Sequence, residues 1–347
     1  MRRVLLTAGV AAVTLAAAGC ASSAAGASGP GSGPVVLRLG FQANITHEPA
    51  LVGLAKGFFA KNLGKNVELK TTVFSSGTEE TTAILAGQLD AAYVGPNPAL
   101  NAWQKSNGTA IKIISGAASG GASLVVKKDI TSASQLKGKS LATPSLGNTQ
   151  DVALRYWLKQ HGLNTTPTGG GDVSIKPIKP NSAAVLQFAS GQIEGGWEPE
   201  PYATEMALAG GTRLVNEAGL WPGGKFVTTN LVVTQSYLKA HPSVVNGLLK
   251  GQIETNSYIN ANGSAAASAA NAELARTLGK GLKPNVLAAA LPFITFTNDP
   301  IASSLLADAQ HAVSVGLLTP VKNLSSIYDL GPLNALLKAD GQPQVSS

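Results

Sequence analysis

The sequence GQLDAAYVGPNP at residues 87–98 recurs as GQIEGGWEPEP at residues 191–201, and the two copies begin 104 residues apart. In each copy a helix-like run ends at Gly-Gln, a short apolar segment follows, and a Pro-X-Pro turn opens another helix-like run. This is one strand-loop-helix unit used twice, at a period too long for a solenoid repeat. It predicts two similar α/β lobes that face each other across a cleft, each with an aromatic residue and a rigid loop at a strand end.

Strand-like and helix-like runs alternate around the first copy. Strands are predicted at 35–41, 67–74 and 91–94, each followed by a polar turn and a helix-like run. The helix after the first strand is predicted to start near Thr46 and to run through Phe58. This order is the βαβα pattern of a doubly wound sheet.

Two continuous β-rich runs, at 123–127 and 226–233, each border a new strand-helix series and are the predicted crossings between the lobes. The alanine-rich, mostly helical segment from about residue 236 onward is expected to pack back on the first lobe. The predicted organisation is therefore a discontinuous lobe I at 35–124 and 230–347, and a lobe II at 125–229.

The N-terminus has the features of an export signal. An apolar run at 4–18 follows two arginines and is too short to span a bilayer as a helix. The sequence Ala17-Ala-Gly-Cys20 resembles a bacterial lipobox, in which the cysteine becomes the lipidated first residue. The alternative is an ordinary secretory signal with a chance cysteine. Residues 1–20 are predicted to be a lipoprotein signal peptide, and the small residues of 21–34 a flexible tether.

Composition argues against several classes of function. The formal net charge is +7, but the lysines are spread singly and no basic cluster is interleaved with aromatic residues, so nucleic-acid binding is not expected. Cys20 is the only cysteine, which rules out an internal disulfide. The length suits two lobes of ordinary domain size, in a protein expected to be a monomer.

No catalytic or metal-binding pattern stands out. The four histidines, His47, His161, His241 and His311, form no His-X-X-X-His pair, and the chain has no cysteine spacing for a metal and no Gly-X-Ser-X-Gly turn. Neither an enzyme nor a cofactor nor a metal site is expected. His47 with Glu48 is the one pair that a catalytic alternative could use.

The predicted strand-end loops are rich in neutral hydrogen-bonding groups. In the loop TPSLGNTQ at 143–150, Gly147 is expected to let backbone approach closely, and the N–H groups of 147–150 to hold an oxyanion above a helix N-terminus. Alternatively, Ser145 or Asn148 only caps the helix, and Gln42 or Asn44 only braces its own loop. The candidate ligand-binding residues of these loops are Gln42, Asn44, Thr46, His47, Ser76, Gly77, Asn97, Ser145, Gly147, Asn148, Thr149 and Gln150.

The second copy of the repeat contributes two further candidates. Trp197 offers a flat apolar wall and one N–H donor at the strand end. Glu198 either receives a ligand ammonium or pairs within its own lobe, and the structural role is slightly favoured because a free carboxylate would repel a bound anion.

These motifs resemble the nitrate/sulfonate/taurine family of substrate-binding proteins of ABC importers. The resemblance is carried by TPSLGNTQDVALR at 143–155, by the motif at 87–98, by Gly196-Trp-Glu-Pro199, and by PALVGLAKGFF at 49–59. It extends from about Val35 to Pro242.

The resemblance implies a periplasmic-binding-protein type II-like fold, with two doubly wound α/β lobes and a hinged ligand cleft. It implies a receptor that binds a small organic anion, closest to an aliphatic sulfonate or taurine, and delivers it to a membrane permease and its ATPase subunit. With Cys20 lipidated, the receptor would be tethered on the extracytoplasmic face of the cytoplasmic membrane.

Three alternatives stay open at this point. The ligand could be nitrate or bicarbonate. It could be a thiamine pyrimidine precursor, stacked on Trp197 and Tyr93 with a phosphate at the Asn148 helix end. The third alternative is a catalytic or sensor protein on the same scaffold.

Overall fold

A computed structural model describes residues 33–347. The predictions of a signal peptide at 1–20, of lipidation at Cys20 and of a tether up to residue 32 lie outside the described residues. Residues 34–347 form one compact unit. Within the described part of the chain, no helix combines the length and the apolar character needed to cross a membrane.

Strands and helices alternate as predicted through the first half of the chain, and helices dominate after residue 235. The strands are β1 (Val35–Gln42), β2 (Val67–Phe74), β3 (Ala91–Val94), β4 (Ile111–Gly120), β5 (Ala122–Lys127), β6 (Ser140–Thr143), β7 (Ser174–Pro177), β8 (Gly195–Pro199), β9 (Gly211–Asn216), β10 (Val227–Thr234) and β11 (Ile294–Phe296). The helices are α1 (Glu48–Ala55), α2 (Phe58–Leu63), α3 (Gly77–Leu85), α4 (Pro96–Lys105), α5 (Thr149–Gln160), α6 (Asn181–Ala189), α7 (Tyr202–Leu208), α8 (Gln235–Ala240), α9 (Pro242–Ala261), α10 (Gly263–Leu278), α11 (Pro284–Ala290), α12 (Ala302–Ser314) and α13 (Gly331–Ala339).

The first sheet has six strands in the order β11-β4-β10-β3-β1-β2. β1 lies parallel to both β2 and β3, and β10 runs antiparallel to β3 and β4. Leu37, Leu39 and Phe41 alternate along β1 and are fully buried, because this face of the strand packs into the core. We call this sheet and the helices packed on it lobe I.

The second sheet has five strands in the order β7-β6-β8-β5-β9. β6 lies parallel to β7 and β8, and β5 runs antiparallel to β8 and β9. Its two faces pack into separate apolar clusters, one around Trp157 and Trp197 and the other around Phe188 and Met206. We call this sheet and its helices lobe II. The α/β fold with two wound sheets is confirmed.

Two of the reversed strands, β5 and β10, follow the crossings between the sheets, and the third, β11, pairs antiparallel with β4 at the edge of the first sheet. β4 passes through Gly120 and Gly121 directly into β5, which therefore enters the second sheet at the edge where β6 and β8 end. β10 re-enters the first sheet in the same way. Each crossing strand runs antiparallel to its neighbours because it starts where they finish.

The helix predicted to run through Phe58 is interrupted. α1 ends at Ala55, and Gly57 adopts a left-handed backbone with φ of 72° before α2 begins at Phe58. A left-handed residue ends the hydrogen-bonded helix and turns the chain, which glycine does without a steric penalty.

Gly120→Ala is expected to destabilise the protein by about 2 kcal/mol or more. Gly120 has φ of 79°, and a Cβ there would lie 2.5 Å from the carbonyl oxygen of Phe293. Gly138→Ala is the matched control, since Gly138 has φ of 77° but no atom within 4 Å of the added Cβ. Chemical denaturation would measure both, and an equal loss in the two variants would show that the contact at the crossing is unimportant.

Candidate functional site

A small polar cavity lies between the two sheets, at the edge where strands from both lobes end. Its volume is about 20 Å³, which is room for one water molecule. It is reached by the ends of β1 and β8, by the loops after β3 and β6, and by the start of β10. The residues that line it are Gln42, Asn44, Thr46, His47, Gly77, Gly95, Pro98, Pro144, Asn148, Thr149, Gln150, Pro199 and Thr228.

Eight of the fourteen residues predicted for the ligand site line this cavity. They are Gln42, Asn44, Thr46, His47, Gly77, Asn148, Thr149 and Gln150. The sequence predicted them because parallel strands of both lobes end in polar loops, and the carboxyl ends of such strands meet at one edge of a sheet.

The loop after β1 is held in a tight turn by its own polar groups. Oδ1 of Asn44 accepts hydrogen bonds from the Thr46 N–H at 3.0 Å and from the Thr46 hydroxyl at 2.7 Å. The Gln42 N–H donates to Nδ1 of His47 at 3.2 Å. Asn44 therefore braces its loop, as the structural alternative proposed, while also lining the cavity.

His47 is a neutral group in this site. It is buried, and burial lowers the pKa of its imidazole to about 3. Because Nδ1 accepts from the Gln42 N–H, the ring proton is carried by Nε2. His47 can therefore donate one hydrogen bond near pH 7 but does not supply a positive charge.

We expect His47 to stay neutral, with its proton on Nε2, from pH 8 down to about pH 4. In the unfolded chain its pKa is about 6.5, so the unfolded state binds more protons below that pH. Its contribution to the stability of the fold is therefore lost as the pH falls from about 7 to 4. Nitrogen NMR of the histidine ring measures the protonation state of His47 directly, and a titration midpoint near pH 6.5 for His47 would contradict its buried position.

The loop before α5 is organised by a buried ion pair rather than left free for a ligand. One oxygen of Asp151 accepts from the Thr143 hydroxyl at 3.1 Å, and the other accepts from the Gly147 N–H and from Nε of Arg155, both at 2.9 Å. Oδ1 of Asn148 caps the helix by accepting from the Asp151 N–H at 2.9 Å.

This network corrects the expectation for the N–H groups of 147–150. The Gly147 N–H is taken by Asp151, and the Asn148 N–H donates to the Ser145 carbonyl at 3.2 Å. That leaves the N–H groups of Thr149 and Gln150, in the first turn of α5, without a backbone acceptor, and both residues line the cavity. Close approach of the backbone is not what requires glycine at position 147, because an added Cβ would contact only Asn101, at 3.8 Å. Glycine is favoured there by the left-handed backbone, with φ of 73°.

Four more predicted residues lie beside the cavity without lining it. Ser76 caps α3 by accepting from the Glu79 N–H. The Ser145 hydroxyl pairs with the Thr78 hydroxyl at 3.0 Å. Asn97 and Gly147 line a second, smaller gap between the lobes. Neither the oxygen nor the nitrogen of the Asn97 side-chain amide has a hydrogen-bond partner.

Trp197 is not brought to the cavity. Its side chain is fully buried in the core of lobe II, packs against Trp157, and donates from Nε1 to Glu217 at 2.6 Å. Successive residues of a strand point to opposite faces, so with Trp197 in one core its neighbour Glu198 leaves β8 on the other face. There Asn181 donates to one carboxyl oxygen of Glu198 at 3.1 Å, and the other oxygen has no partner.

The residues around the cavity have an acidic bias. Glu80 of lobe I and Glu198 of lobe II are both fully buried, and burial raises the pKa of each carboxyl well above its usual range. Glu48, which follows His47, is buried too, and its pKa is raised to about 8. None of the side chains that line the cavity belongs to lysine or arginine.

The two lobes touch along the rim of the cavity. These contacts are the Thr78–Ser145 hydroxyl pair at 3.0 Å, an ion pair of Lys179 with Glu79 at 2.5 Å, and a hydrogen bond from the Tyr202 hydroxyl to the Ala43 carbonyl at 3.5 Å. The ion pair is partly exposed, and such pairs stabilise by at most about 1 kcal/mol. The rim contacts are individually weak, and the lobes also meet where α5 packs on α12, with Tyr156 stacked on His311 at 3.6 Å between ring centroids.

Five lining residues were missed: Gly95, Pro98, Pro144, Pro199 and Thr228. The first four lie in the quoted loops, but their role depends on how closely the lobes approach, which the sequence does not encode locally. Among residues 33–347, no group of three His, Cys, Asp or Glu side chains is arranged to hold a metal ion.

Two wound α/β lobes with a polar cavity at their facing strand ends define the class of two-lobed ligand-binding folds. The chain belongs to the NMT1-like family, whose model matches residues 31–275. The resemblance inferred from the sequence motifs is confirmed at this level.

A curated relative supports membership of the NMT1-like family. The chain is 27% identical over 216 residues to the taurine-binding periplasmic protein of Escherichia coli K12, a match that covers 62% of this chain and 64% of that protein. The chain therefore spans less than two thirds of that relative's length.

Two solved structures share the fold. The alkanesulfonate-binding protein SsuA of Xanthomonas axonopodis pv. citri, bound to MOPS, superposes with a TM-score of 0.69 at 17% identity, over 87% of this chain and 100% of that one. The periplasmic nitrate-binding protein NrtA of Synechocystis PCC 6803 gives 0.67 at 15% identity, over 85% and 84%. At these identities the likeness shows the fold alone.

Proposed function

We propose that this protein is the extracytoplasmic solute-binding component of an ABC importer, and that it binds a small sulfonate, aliphatic or taurine-like, between its two lobes. The observation that carries the proposal is the polar cavity, to which both lobes contribute strand ends and across which the rim contacts close. The similarity to the taurine-binding relative supports the choice of ligand class.

The sulfonate would sit at the N-terminus of α5. The N–H groups of Thr149 and Gln150 and the positive end of the helix dipole favour an oxyanion there. Gln42 and His47 would donate from lobe I. All these donors are neutral, which suits a ligand that must be released after binding.

Closure would be coupled to occupancy. The cavity has room for about one water molecule, and a sulfonate is larger, so the lobes must separate to admit it and then close less tightly around it. A ligand that contacts both lobes selects the closed arrangement over the open one. The two arrangements present different surfaces to a permease, and this difference would signal that the receptor is loaded.

The proposal extends to partners and location. We propose that the receptor is a monomer, that Cys20 carries a lipid anchor, and that the ligand is delivered to a membrane permease with its ATPase subunit. The boundaries 35–124 with 230–347 and 125–229 remain our proposal for the two lobes.

The alternatives have less support than the sulfonate. Stacking of a heterocycle on Trp197 and Tyr93 has no support, because Trp197 lies in the core of lobe II and Tyr93 is buried in lobe I, where its hydroxyl donates to Gln252. A catalytic role for His47 with Glu48 would need a base at the cavity, but the pKa of His47 is lowered to about 3, which makes it a weak base, and Glu48 does not line the cavity. Nitrate or bicarbonate would use the same neutral donors, and the similarity to the taurine-binding relative is what favours a sulfonate over them.

Isothermal titration tests the proposal. The chain from residue 21 onward would be titrated with taurine, alkanesulfonates of rising chain length, nitrate, bicarbonate and a thiamine pyrimidine precursor. We expect saturable 1:1 binding of at least one sulfonate and none of the heterocycle. Binding of the heterocycle alone would reject the sulfonate assignment, and hydrolysis or conversion of a ligand would reject the assignment as a receptor.

A further inference from the structure

The end of lobe I that lies opposite the ligand cavity is rich in lysine. β1, β2, β3 and β4 run in the same direction, so their first residues lie together at the edge of the sheet that is farthest from the cavity. β10 runs the other way and ends at this edge, where Thr234 pairs with Ile111. The loops and helix ends at this edge carry Lys65, Lys105, Lys112, Lys239 and Lys322. We call this surface the basic end of lobe I.

These five lysines are distant in the chain, and the topology of the fold gathers them. Lys65 lies two residues before β2, and Lys105 is the last residue of α4. Lys112 is the second residue of β4, and Lys239 lies in α8, the helix that follows β10. Lys322 lines a surface cavity together with Lys112. Lysines that are spread singly along the sequence therefore form one surface.

The charge of the basic end is not neutralised by the protein. None of the five lysines forms an ion pair within residues 33–347. Two acids at this end already have other partners, since Asp90 pairs with Arg38 at 2.6 Å and Glu68 with Lys70 at 3.4 Å. A third acid, Asp329, is half-buried beside β4. The basic end therefore presents a net positive surface.

A surface cavity of about 560 Å³ opens at the basic end, between the end of α4 and the loop after α12. Lys112 and Lys322 line it together with Trp103, and none of the described residues that line it is acidic. Nζ of Lys112 lies 5.1 Å from the centre of the Trp103 ring and donates to the Ser326 carbonyl. These contacts fix the ammonium group and leave it N–H groups for a further acceptor. The cavity is therefore suited to an oxyanion such as a phosphate.

The chain also enters lobe I at the basic end. Val35 opens β1 there, paired with Val67 at the start of β2. Residues 21–34 separate it from Cys20, the residue for which we propose a lipid anchor. A flexible segment of that length would span roughly 20 Å, so the proposed lipid would hold this end of lobe I close to a bilayer.

We infer that the basic end of lobe I docks on the anionic surface of a lipid bilayer, and that the cavity between Lys112 and Lys322 takes the phosphate of a lipid headgroup. The negative surface potential of such a bilayer attracts each lysine that comes near it. The inference goes beyond the proposed function, because it concerns a surface remote from the ligand cavity and is independent of which ligand that cavity binds.

This docking leaves the ligand cavity accessible. The length of β1, eight residues, separates the basic end from the cavity by roughly 26 Å. Lobe II lies beyond the cavity and carries none of the five lysines. Lobe II therefore stays free to move against lobe I while lobe I is held at the membrane.

Vesicle sedimentation tests the inference. The chain from residue 21 onward lacks Cys20 and contains the compact unit of residues 34–347, so any binding comes from the protein surface. Vesicles of phosphatidylcholine alone would be compared with vesicles of phosphatidylcholine and phosphatidylglycerol in equal parts. We expect binding to the mixed vesicles only. It should weaken at least about tenfold when salt is raised from about 0.02 M to about 0.5 M, because salt screens exposed charges.

A triple charge reversal locates the docking surface. The variant with Lys105→Glu, Lys239→Glu and Lys322→Glu is expected to bind the mixed vesicles at least about 100-fold more weakly. All three lysines are exposed, so the fold should be intact, which thermal unfolding would check. The corresponding Lys→Gln variant should show a smaller loss, because it removes the positive charges without adding negative ones.

The matched control reverses three exposed lysines of lobe II, with Lys128→Glu, Lys176→Glu and Lys225→Glu. It changes the net charge by the same amount but leaves the basic end unaltered. The control should bind the mixed vesicles within about threefold of the wild type, because the attraction falls off within a Debye length.

A soluble short-chain phosphatidylglycerol tests the cavity. In an NMR titration we expect a saturable shift of the indole N–H signal of Trp103, and no such shift in Lys112→Gln. Phosphatidylcholine of the same chain length controls for contacts of the acyl chains alone. An equal shift with both lipids, an equal shift in Lys112→Gln, or no saturable shift would overturn the assignment of the cavity to a headgroup phosphate.

Three results of the sedimentation experiment overturn the docking inference. They are equal binding to both kinds of vesicle, binding to neither, and equal weakening in the two triple glutamate variants, which would show that net charge alone matters. None of these results bears on the proposed function, which stands or fails with the titration of the sulfonates.

Discussion

Gly95→Val is expected to lower the affinity for the ligand about 100-fold without destabilising either lobe. Gly95 lies between β3 and α4 with φ of −67° and ψ of 160°, a conformation open to any residue. In the closed arrangement, however, a Cβ at this position would lie 2.5 Å from Oγ1 of Thr149 in lobe II. The valine would therefore keep the lobes apart, and an overlap of this kind costs about 1–3 kcal/mol.

Affinity and shape together test the Gly95 prediction. Titration should show the weakened binding, and small-angle scattering should show that the ligand no longer compacts the variant. Gly219→Val is the matched control, since Gly219 is exposed and an added Cβ meets no atom within 4 Å.

A rescue experiment shows whether the effect comes from this one contact. In the Gly95→Ala background, Thr149→Ala removes the oxygen that the new methyl group would meet, so the double variant should bind more tightly than Gly95→Ala alone. The single variant Thr149→Ala measures how much ligand affinity is lost when the Thr149 hydroxyl is removed. Wild-type affinity in Gly95→Val would show that closure of the lobes is not part of binding.

The second large effect is expected at the buried ion pair of lobe II. Asp151→Ala should reduce the free energy of unfolding by about 3–5 kcal/mol, because it leaves the guanidinium of Arg155 buried without its counter-charge. Both side chains are inaccessible to solvent, and Nε of Arg155 lies 2.9 Å from Oδ2 of Asp151. Denaturation in urea measures the loss.

The double variant Asp151→Ala with Arg155→Met separates stability from function. It removes both charges, so stability should return to within about 1–2 kcal/mol of the wild type. Ligand affinity should stay reduced, because Thr143 and Gly147 have lost the acceptor that shapes their loop. Full recovery of affinity in the double variant would show that Asp151 has no role in positioning the loop.

The repeated motif was sufficient to predict the two wound sheets, because each copy combines a strand with a turn that proline and glycine fix locally. The polar residues that follow the predicted strands, and not the repeat, indicated that the loop after β1 and the N-terminus of α5 lie at the ligand site. Both follow from chain order alone, since a strand-to-helix loop of a parallel sheet must lie at the carboxyl edge.

The role of Trp197 could not be predicted in the same way. All five residues of β8 are buried, so no alternation of polar and apolar residues shows which face meets the core. The face of β8 that meets the core around Trp157 is decided only by the pairing of β8 with β5 and β6. For Gly147, the sequence indicated a glycine requirement, but the left-handed backbone that explains it is set by the turn into α5.

The acidic character of the site was predicted only at Glu198. Glu80 lies in the first turn of α3, where an acid is ordinarily explained by the helix dipole. Its burial depends on the Gln42 loop packing over it from a strand 38 residues earlier in the chain. Contacts between such distant segments leave no local pattern in a single sequence.

A crystal structure of the protein with 2-aminoethanesulfonate tests the central claim most directly. We predict one molecule in the cavity between the lobes, with sulfonate oxygens within 3.2 Å or so of the N–H groups of Thr149 and Gln150, as hydrogen bonds of this type require. A ligand bound outside the cleft, or a sulfonate turned away from the first turn of α5, would contradict the account.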